Sequence, residues 1–160
     1  DPLNPGLQAL AGNLRVNGVE FGATGRLTEN WEIQTGYTYL DAQSTGLVAA
    51  GVKGDVPNTA HNQADLWSVY DFESERKLGA GFTYRGRRAA DAAATSHVPG
   101  FVEWDAMASY PLSDNLTLQL NGYNLFDKEY YLNSYFTRPV ENHVIPGAGR
   151  TLTLTAIVDL

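Results

Sequence analysis

The sequence predicts an all-β fold, an antiparallel segment of a transmembrane β-barrel. Three observations carry this. Seven runs of roughly ten residues alternate apolar and polar side chains. Tight turns and long loops alternate between them. Aromatic residues, at 11% of the chain with nine tyrosines, gather near the ends of the runs.

The first run, Gly18 to Leu27, sets Val19, Phe21, Ala23 and Leu27 against Glu20, Thr24 and Arg26. In the second, Trp31, Ile33, Tyr37 and Tyr39 oppose Glu32, Gln34 and Thr38. The third, Gln63 to Phe72, is less clean, because Trp67 and Val69 fall on its polar face. The fourth, Leu78 to Arg88, sets Leu78, Ala80, Phe82 and Tyr84 against Thr83, Arg85 and Arg87. In Phe101 to Leu112, Val102, Trp104, Ala106, Ala108 and Tyr110 oppose Glu103, Asp105, Met107 and Ser109. Leu116, Leu118 and Leu120 oppose Thr117, Gln119 and Asn121, and Leu152, Leu154, Ala156 and Val158 oppose Thr151, Thr153 and Thr155.

A tilted strand of about ten residues spans a bilayer. TEN, ESERK and SDN are tight turns, whereas 44–61, 89–100 and 127–148 are long and rich in Gly, Pro, Asn and Ala. Short turns on one side and long loops on the other mark an outer-membrane barrel, apolar side facing lipid and polar side facing the lumen. Trp31, Tyr37, Tyr39, Tyr70, Phe72, Tyr84, Trp104 and Tyr110 are placed for interfacial girdles. In NLFDKEYY (124–131), Phe126, Tyr130 and Tyr131 are expected as further interfacial rings where a long strand leaves the hydrocarbon, a strand that need not stop there.

Composition excludes other classes. No run of eighteen apolar residues is present, so no transmembrane helix is expected. With no cysteine there are no disulfides or thiolate sites. A net charge of −7 argues against nucleic acid as a partner. Asp1 follows neither a methionine nor a leader, which predicts a processed chain or part of a longer one. GxSxG, HExxH and P-loop patterns are missing, and Gly79-Ala80-Gly81 lacks the third glycine of a dinucleotide loop. No enzymatic activity and no bound cofactor are expected.

NLFDKEYY also resembles a family. An Asn-Leu-Phe-Asp stretch followed by tyrosine is similar to the penultimate strand of TonB-dependent outer-membrane siderophore receptors. VPNTAHNQADLWSVYDF (56–72) and PGAGRTLTLT (146–155) agree with that family in order. YRGRRAADAA (84–93), VPGF (98–101) and WDAMASYPL (104–112) resemble its catecholate-type members. Such receptors are plugged barrels of about 22 strands. The resemblance therefore implies that residues 1–160 are the C-terminal part of a larger barrel, with the plug and TonB-binding box elsewhere. The family usually ends on an aromatic residue, whereas this sequence ends Val158-Asp159-Leu160. The implied function is uptake of ferric siderophore across the outer membrane. The implied partners are the ferric siderophore, the lipid bilayer and, through the plug region, the TonB complex.

Two rivals stand beside it. One is a self-contained eight-stranded barrel with a structural or adhesive role, whose eighth strand would have to come from 129–138. The other is a soluble β-sandwich that binds carbohydrate. Seven strands alone leave two open edges, so these residues are not expected to fold by themselves in lipid.

Candidate ligand-binding residues are Arg85, Arg87, Arg88, Trp67, Tyr135, Phe136 and Arg138. Guanidinium groups answer an anionic, aromatic ferric complex by charge and stacking. Alternation points Arg85 and Arg87 into the lumen. The plainer reading pairs these arginines with Glu20, Glu32, Glu103 or Asp105, packs Tyr135 and Phe136 within their own loop, and leaves Trp67 to stack on ligand or touch the plug. His61, His97 and His143 fall one in each long loop. No ligand spacing supports a metal site, so solvated loop histidines are expected.

Overall fold

The computed structural model describes residues 12–46, 53–73, 75–138 and 141–159. The strands are β1 (Asn13–Thr28), β2 (Trp31–Thr45), β3 (Lys53–Asp55), β4 (Asn62–Asp71), β5 (Lys77–Arg85), β6 (Arg88–Ala89), β7 (His97–Val98), β8 (Phe101–Ser113), β9 (Leu116–Tyr123), β10 (Tyr131–Arg138), β11 (Glu141–Pro146) and β12 (Thr151–Val158). The seven long strands form one antiparallel sheet in the order β1-β2-β4-β5-β8-β9-β12, with β3 added to β2.

Register fixes the two faces. Phe21 lies opposite Tyr37, Tyr37 opposite Ala64, Ala64 opposite Tyr84, and Tyr84 opposite Val102. Leu120 lies opposite both Ala108 and Leu154. Side chains alternate with period two, so one matched row puts every expected apolar side on the same surface. Val19, Phe21, Leu78, Leu152 and Leu154 are all more than half exposed. In water such a surface would aggregate; against hydrocarbon it is the solvated face. No second sheet packs on it among the described residues, which removes the β-sandwich rival.

Rings edge this face in two bands. At the tight-turn end Trp31 donates its indole N–H to Ser68 Oγ at 2.7 Å, and Tyr70 meets Phe72 edge-on at 4.7 Å. There too the Arg76 guanidinium lies 4.8 Å above the Tyr110 ring. At the loop end Tyr37 donates to Asn62 Oδ1 at 2.7 Å, and Phe82 packs on Trp104 at 5.3 Å. Amphipathic rings suit a boundary that is apolar on one side and wet on the other.

Several expectations needed correction. β1 and β2 run to 16 and 15 residues, well above the roughly ten needed to cross. β5 stops at Arg85, so strand alternation does not extend to Arg87 or Arg88. The long loops are built on β3, β6–β7 and β10–β11, none of which has a long periodic run. Residues 131–138 do form a strand, but among the described residues β10 pairs with β11 alone. Among the described residues β1 and β12 each have one neighbour in the long sheet and do not pair with each other, so they close no eight-stranded barrel.

The buried core gathers at one end of the long sheet, where the loops pack on the ends of β2 and β8. Ala42, Ala60, Ala89, Ala90, Val98 and Phe101 are buried with Ser44, Arg88, Asp91, Asn124 and Ser134. All lie at the loop end, where chain packs on chain. Arginine at Leu154 is expected to cost about 2–4 kcal/mol if it sits at mid-bilayer depth, whereas arginine at Gln119, on the other face, is tolerated. The folded yield of each variant in outer membranes checks this.

Candidate ligand vestibule

The loop end begins where β9 stops. Asn124 and Asp127 have φ of 48° and 52°, in the left-handed region that asparagine and aspartate tolerate best. Asn124 is 1% exposed and uses every polar group it has. Its backbone N–H donates to Asp105 Oδ1 at 2.9 Å. Its side-chain amide donates to the carbonyls of Lys128 (3.0 Å) and Ala148 (2.9 Å), and its Oδ1 accepts from Lys128 N–H at 2.8 Å. Asp127 Oδ1 accepts from Arg150 N–H at 2.9 Å. NLFDKEYY is thus a tied bend: β9 ends at Tyr123 and does not run on through it.

Its rings divide. Phe126 is 75% exposed, as an interfacial ring requires. Tyr130 packs instead on Phe101, with centroids 4.3 Å apart. A Cβ added to Gly147 would fall 2.1 Å from the Tyr130 ring, so only glycine fits beneath it. Burial, then the facing Glu103 carboxylate, push the Tyr130 phenol up to about 12, and it stays neutral at physiological pH.

Three connections are then joined. Asn58, at φ 62°, donates from its side-chain amide to Ser134 O and accepts from Ser134 N–H, both at 2.8 Å. This side chain pairs with a backbone as a neighbouring strand would. Ser134 Oγ donates to Ala90 O at 3.2 Å, Asn58 N–H to Ala89 O at 2.9 Å, and Asp55 N–H to Ala92 O at 3.0 Å. Asp91 closes its own turn, accepting from the backbone N–H and hydroxyl of both Thr95 and Ser96. Burial alone would raise its pKa; the four donors override that and hold it below the usual carboxylate range.

The sequence-predicted residues separate into distinct roles. Arg85 Nη1 reaches both Asp65 oxygens, at 3.0 and 3.1 Å, so its partner is Asp65 and none of the four acids expected. Arg87 is exposed beyond Gly86. Arg88 is 5% exposed, and its Nη2 donates to the carbonyls of Tyr131 (2.5 Å) and Leu132, anchoring the β10–β11 hairpin. Burial and then nearby Arg85 lower the Arg88 pKa.

Trp67 faces the same side as Arg85 and lies over Gly79 and Gly81, where an added Cβ would come within 3.0 and 2.6 Å of its ring. Those glycines are a bed for an indole. With Gln34, Asp65, Thr83 and Asp105, Trp67 lines a concavity of about 460 Å³ on the polar face. Tyr135 stacks on His143 at 5.3 Å. The side chains of Phe136 and Arg138 lie outside the described residues. No group of three His, Asp or Glu is placed to share a metal among the described residues.

Comparison with known proteins fits this architecture. The family model for "TonB dependent receptor-like, beta-barrel" matches residues 2–125. The chain belongs to the TonB-dependent receptor β-barrel family. Its barrels are outer-membrane proteins, and the sheet described above is a segment of one. A probable TonB-dependent siderophore receptor of Acinetobacter baumannii, PiuA, is 35% identical over 83% of this chain and 19% of its own length. The crystal structure of PiuA superposes with a TM-score of 0.80, covering 92% of this chain and 22% of that one. The catecholate siderophore receptor Fiu of Escherichia coli K12 is 34% identical over 91% of this chain and 20% of its own. Fiu in its closed form gives a TM-score of 0.75. The chain thus spans about a fifth of the length of these relatives.

Sequence reasoning missed Asn58, Asp91 and Ser134. Each is a short polar residue inside a Gly-, Pro- or Ala-rich loop, where its signal is indistinguishable from turn chemistry. Two outcomes follow. Gly147→Ala, against the Tyr130 ring, is expected to destabilise by about 1–3 kcal/mol. Gly36→Ala, where only Phe21 O comes within 4 Å, at 3.9 Å, is neutral. Heat resistance of the folded receptor compares them. Asp91 contributes stability above its unfolded pKa of about 4, lost as pH falls through the lower folded value. Asp91→Asn is therefore expected to speed amide exchange across 89–98 at neutral pH but to differ little from the parent in strong acid.

Proposed function

We propose that this chain is the C-terminal part of a TonB-dependent outer-membrane receptor that takes up ferric siderophore. The observation that carries the reading is the seven-stranded sheet itself. Its apolar face asks for lipid and its other face is polar and concave. Its two edge strands ask for further strands, and a joined cluster of loops stands at one end. The relatives named as siderophore receptors support the cargo. In such a receptor this segment supplies barrel wall and extracellular loops, while the plug and the contact with TonB come from elsewhere.

Arg85, Arg87, Arg88, Trp67, Tyr135, Phe136 and Arg138 are the proposed ligand-facing set, with distinct duties within it. Arg87 is the exposed cation, and Trp67 offers a ring face beside the polar concavity. Arg85 and Arg88 hold the wall and hairpin in place. Moving a ferric complex intact needs no covalent chemistry. Catecholate-type cargo is favoured by the similarity to Fiu.

The test is radioiron uptake by an iron-limited Gram-negative strain lacking its own receptors and carrying the full gene. Uptake of a ferric catecholate that requires both the gene and TonB is expected. Uptake that is the same without either overturns the reading.

A further inference from the structure

The β10–β11 hairpin stands on the end of the β9–β12 pair. Tyr123 lies opposite Thr151 in that pair. Beyond it Gly147 N–H donates to Tyr130 O at 2.9 Å, and Tyr131 lies opposite Pro146 where the hairpin begins. β10 therefore follows the side of β9, and β11 the side of β12. The outer edge of β10 is closed by side chains. Asn58 accepts from Ser134 N–H and donates to the Ser134 carbonyl, while Arg88 donates to the carbonyls of Tyr131 and Leu132.

That closed edge fixes the direction of the open one. In an antiparallel pair, opposed residues either exchange both backbone bonds or turn both groups outward. Ser134 gives its N–H and its carbonyl to Asn58, so Ser134 and Val144, which lie opposite each other, are an outward-turned pair. Val144 thus points its N–H and carbonyl away from β10, and neither group has a partner among the described residues. The side chains of Val144 and Ile145 are each 44% exposed. An apolar strand edge with unused backbone groups is a template for a further strand. Pro146 has no N–H to offer, so the template begins at Val144 and runs toward the hairpin tip.

The open edge of β11 lies on the same side as the open edge of β12, and in hydrocarbon the β12 edge has to be paired. Strands of this wall also pair well beyond the span of a bilayer. β1 and β2 stay in register as far as Asn13 and Thr45, and β3 adds to β2 at that height. We propose that β11 is a docking edge for the receptor's own strand that pairs with β12, and that this strand or the loop it leads into adds to the hairpin at Val144. The occupant is a segment of the same receptor outside residues 1–160. The inference rests on the receptor reading, which supplies that neighbouring strand. Its consequence is a hydrogen-bonded connection running from Asn58 through β10 and β11 into the next part of the barrel, so the loop cluster is tied on both sides.

The experiment uses the full-length receptor in bilayers, with a photo-reactive benzoyl-phenylalanine in place of Leu154 or of Val144, one at a time. Both positions are exposed. Adducts are located by mass analysis of peptides. Leu154 is expected to join β9 on one side and a barrel strand outside residues 1–160 on the other. Beyond its hairpin partner β10, Val144 is expected to join that same strand or its loop, about ten residues further along. In the unsubstituted receptor the Val144 amide is expected to exchange with deuterium at least about tenfold more slowly than an exposed amide. A Val144 adduct to another region or to a second copy of the receptor overturns the edge pairing. So does an unprotected Val144 amide, or a Leu154 adduct to the barrel strand with no Val144 adduct beyond β10. If Leu154 joins only β9 or β1, the receptor reading itself is overturned.

Discussion

Backbone amides in hydrocarbon have no water to bond with, and most of the structure follows from that constraint. Each long strand must pair on both sides wherever lipid touches it. The five inner strands of the sheet do so, while β1 and β12 each have a single neighbour in it. The same constraint turns the usual burial pattern inside out. Apolar side chains such as Phe21, Leu78 and Leu154 stay exposed because their solvent is lipid. The opposite face stays polar because it lines a lumen. What remains for a buried core is the loop end, where the chain leaves the bilayer and can fold upon itself.

That core is held chiefly by polar contacts. Its apolar members are mainly alanines, with one valine and one phenylalanine, which bury little area. Asn124, Asn58, Ser134, Asp91 and Arg88 do most of the joining through hydrogen bonds to backbone groups. Such bonds are directional, so they fix loop positions better than apolar contact does. Loops that present a ligand surface gain from being held before the ligand arrives, since less ordering entropy is lost on binding. The proposed uptake function thus has a physical counterpart in the Asn58–Ser134 pairing and the Arg88 anchor.

The long strands were legible because period two persists over many residues, and because paired faces must agree across the sheet. Even the untidy third run was placed correctly, since register with its neighbours outweighs Trp67 on the polar face. The loops were not legible in the same way. β6 and β7 are two residues each, too short to show a period. The pairing of Asn58 with Ser134 spans 76 positions, and nothing local marks either residue. Alternation gives no placement for Arg87, because β5 ends at Arg85, before Gly86. The rings of NLFDKEYY are plain in the sequence, but Tyr130 turns inward over Gly147, a contact that only the folded chain makes. Arg85 was expected to pair with an acid on the polar face, and it does, yet register chose Asp65 from a neighbouring strand.

The placement of wall, lumen and loops depends on which face of the sheet meets lipid. Spin labels placed singly along β8, from Val102 to Tyr110, in the full-length receptor in bilayers test it most directly. Collision with dissolved oxygen, which concentrates in lipid, should be high at 102, 104, 106, 108 and 110 and low at 103, 105, 107 and 109. A polar nickel chelate should show the reverse wherever water reaches the lumen. The same period with opposite phase, or no period at all, would contradict the two-faced barrel wall on which both the receptor reading and the placement of the loops rest.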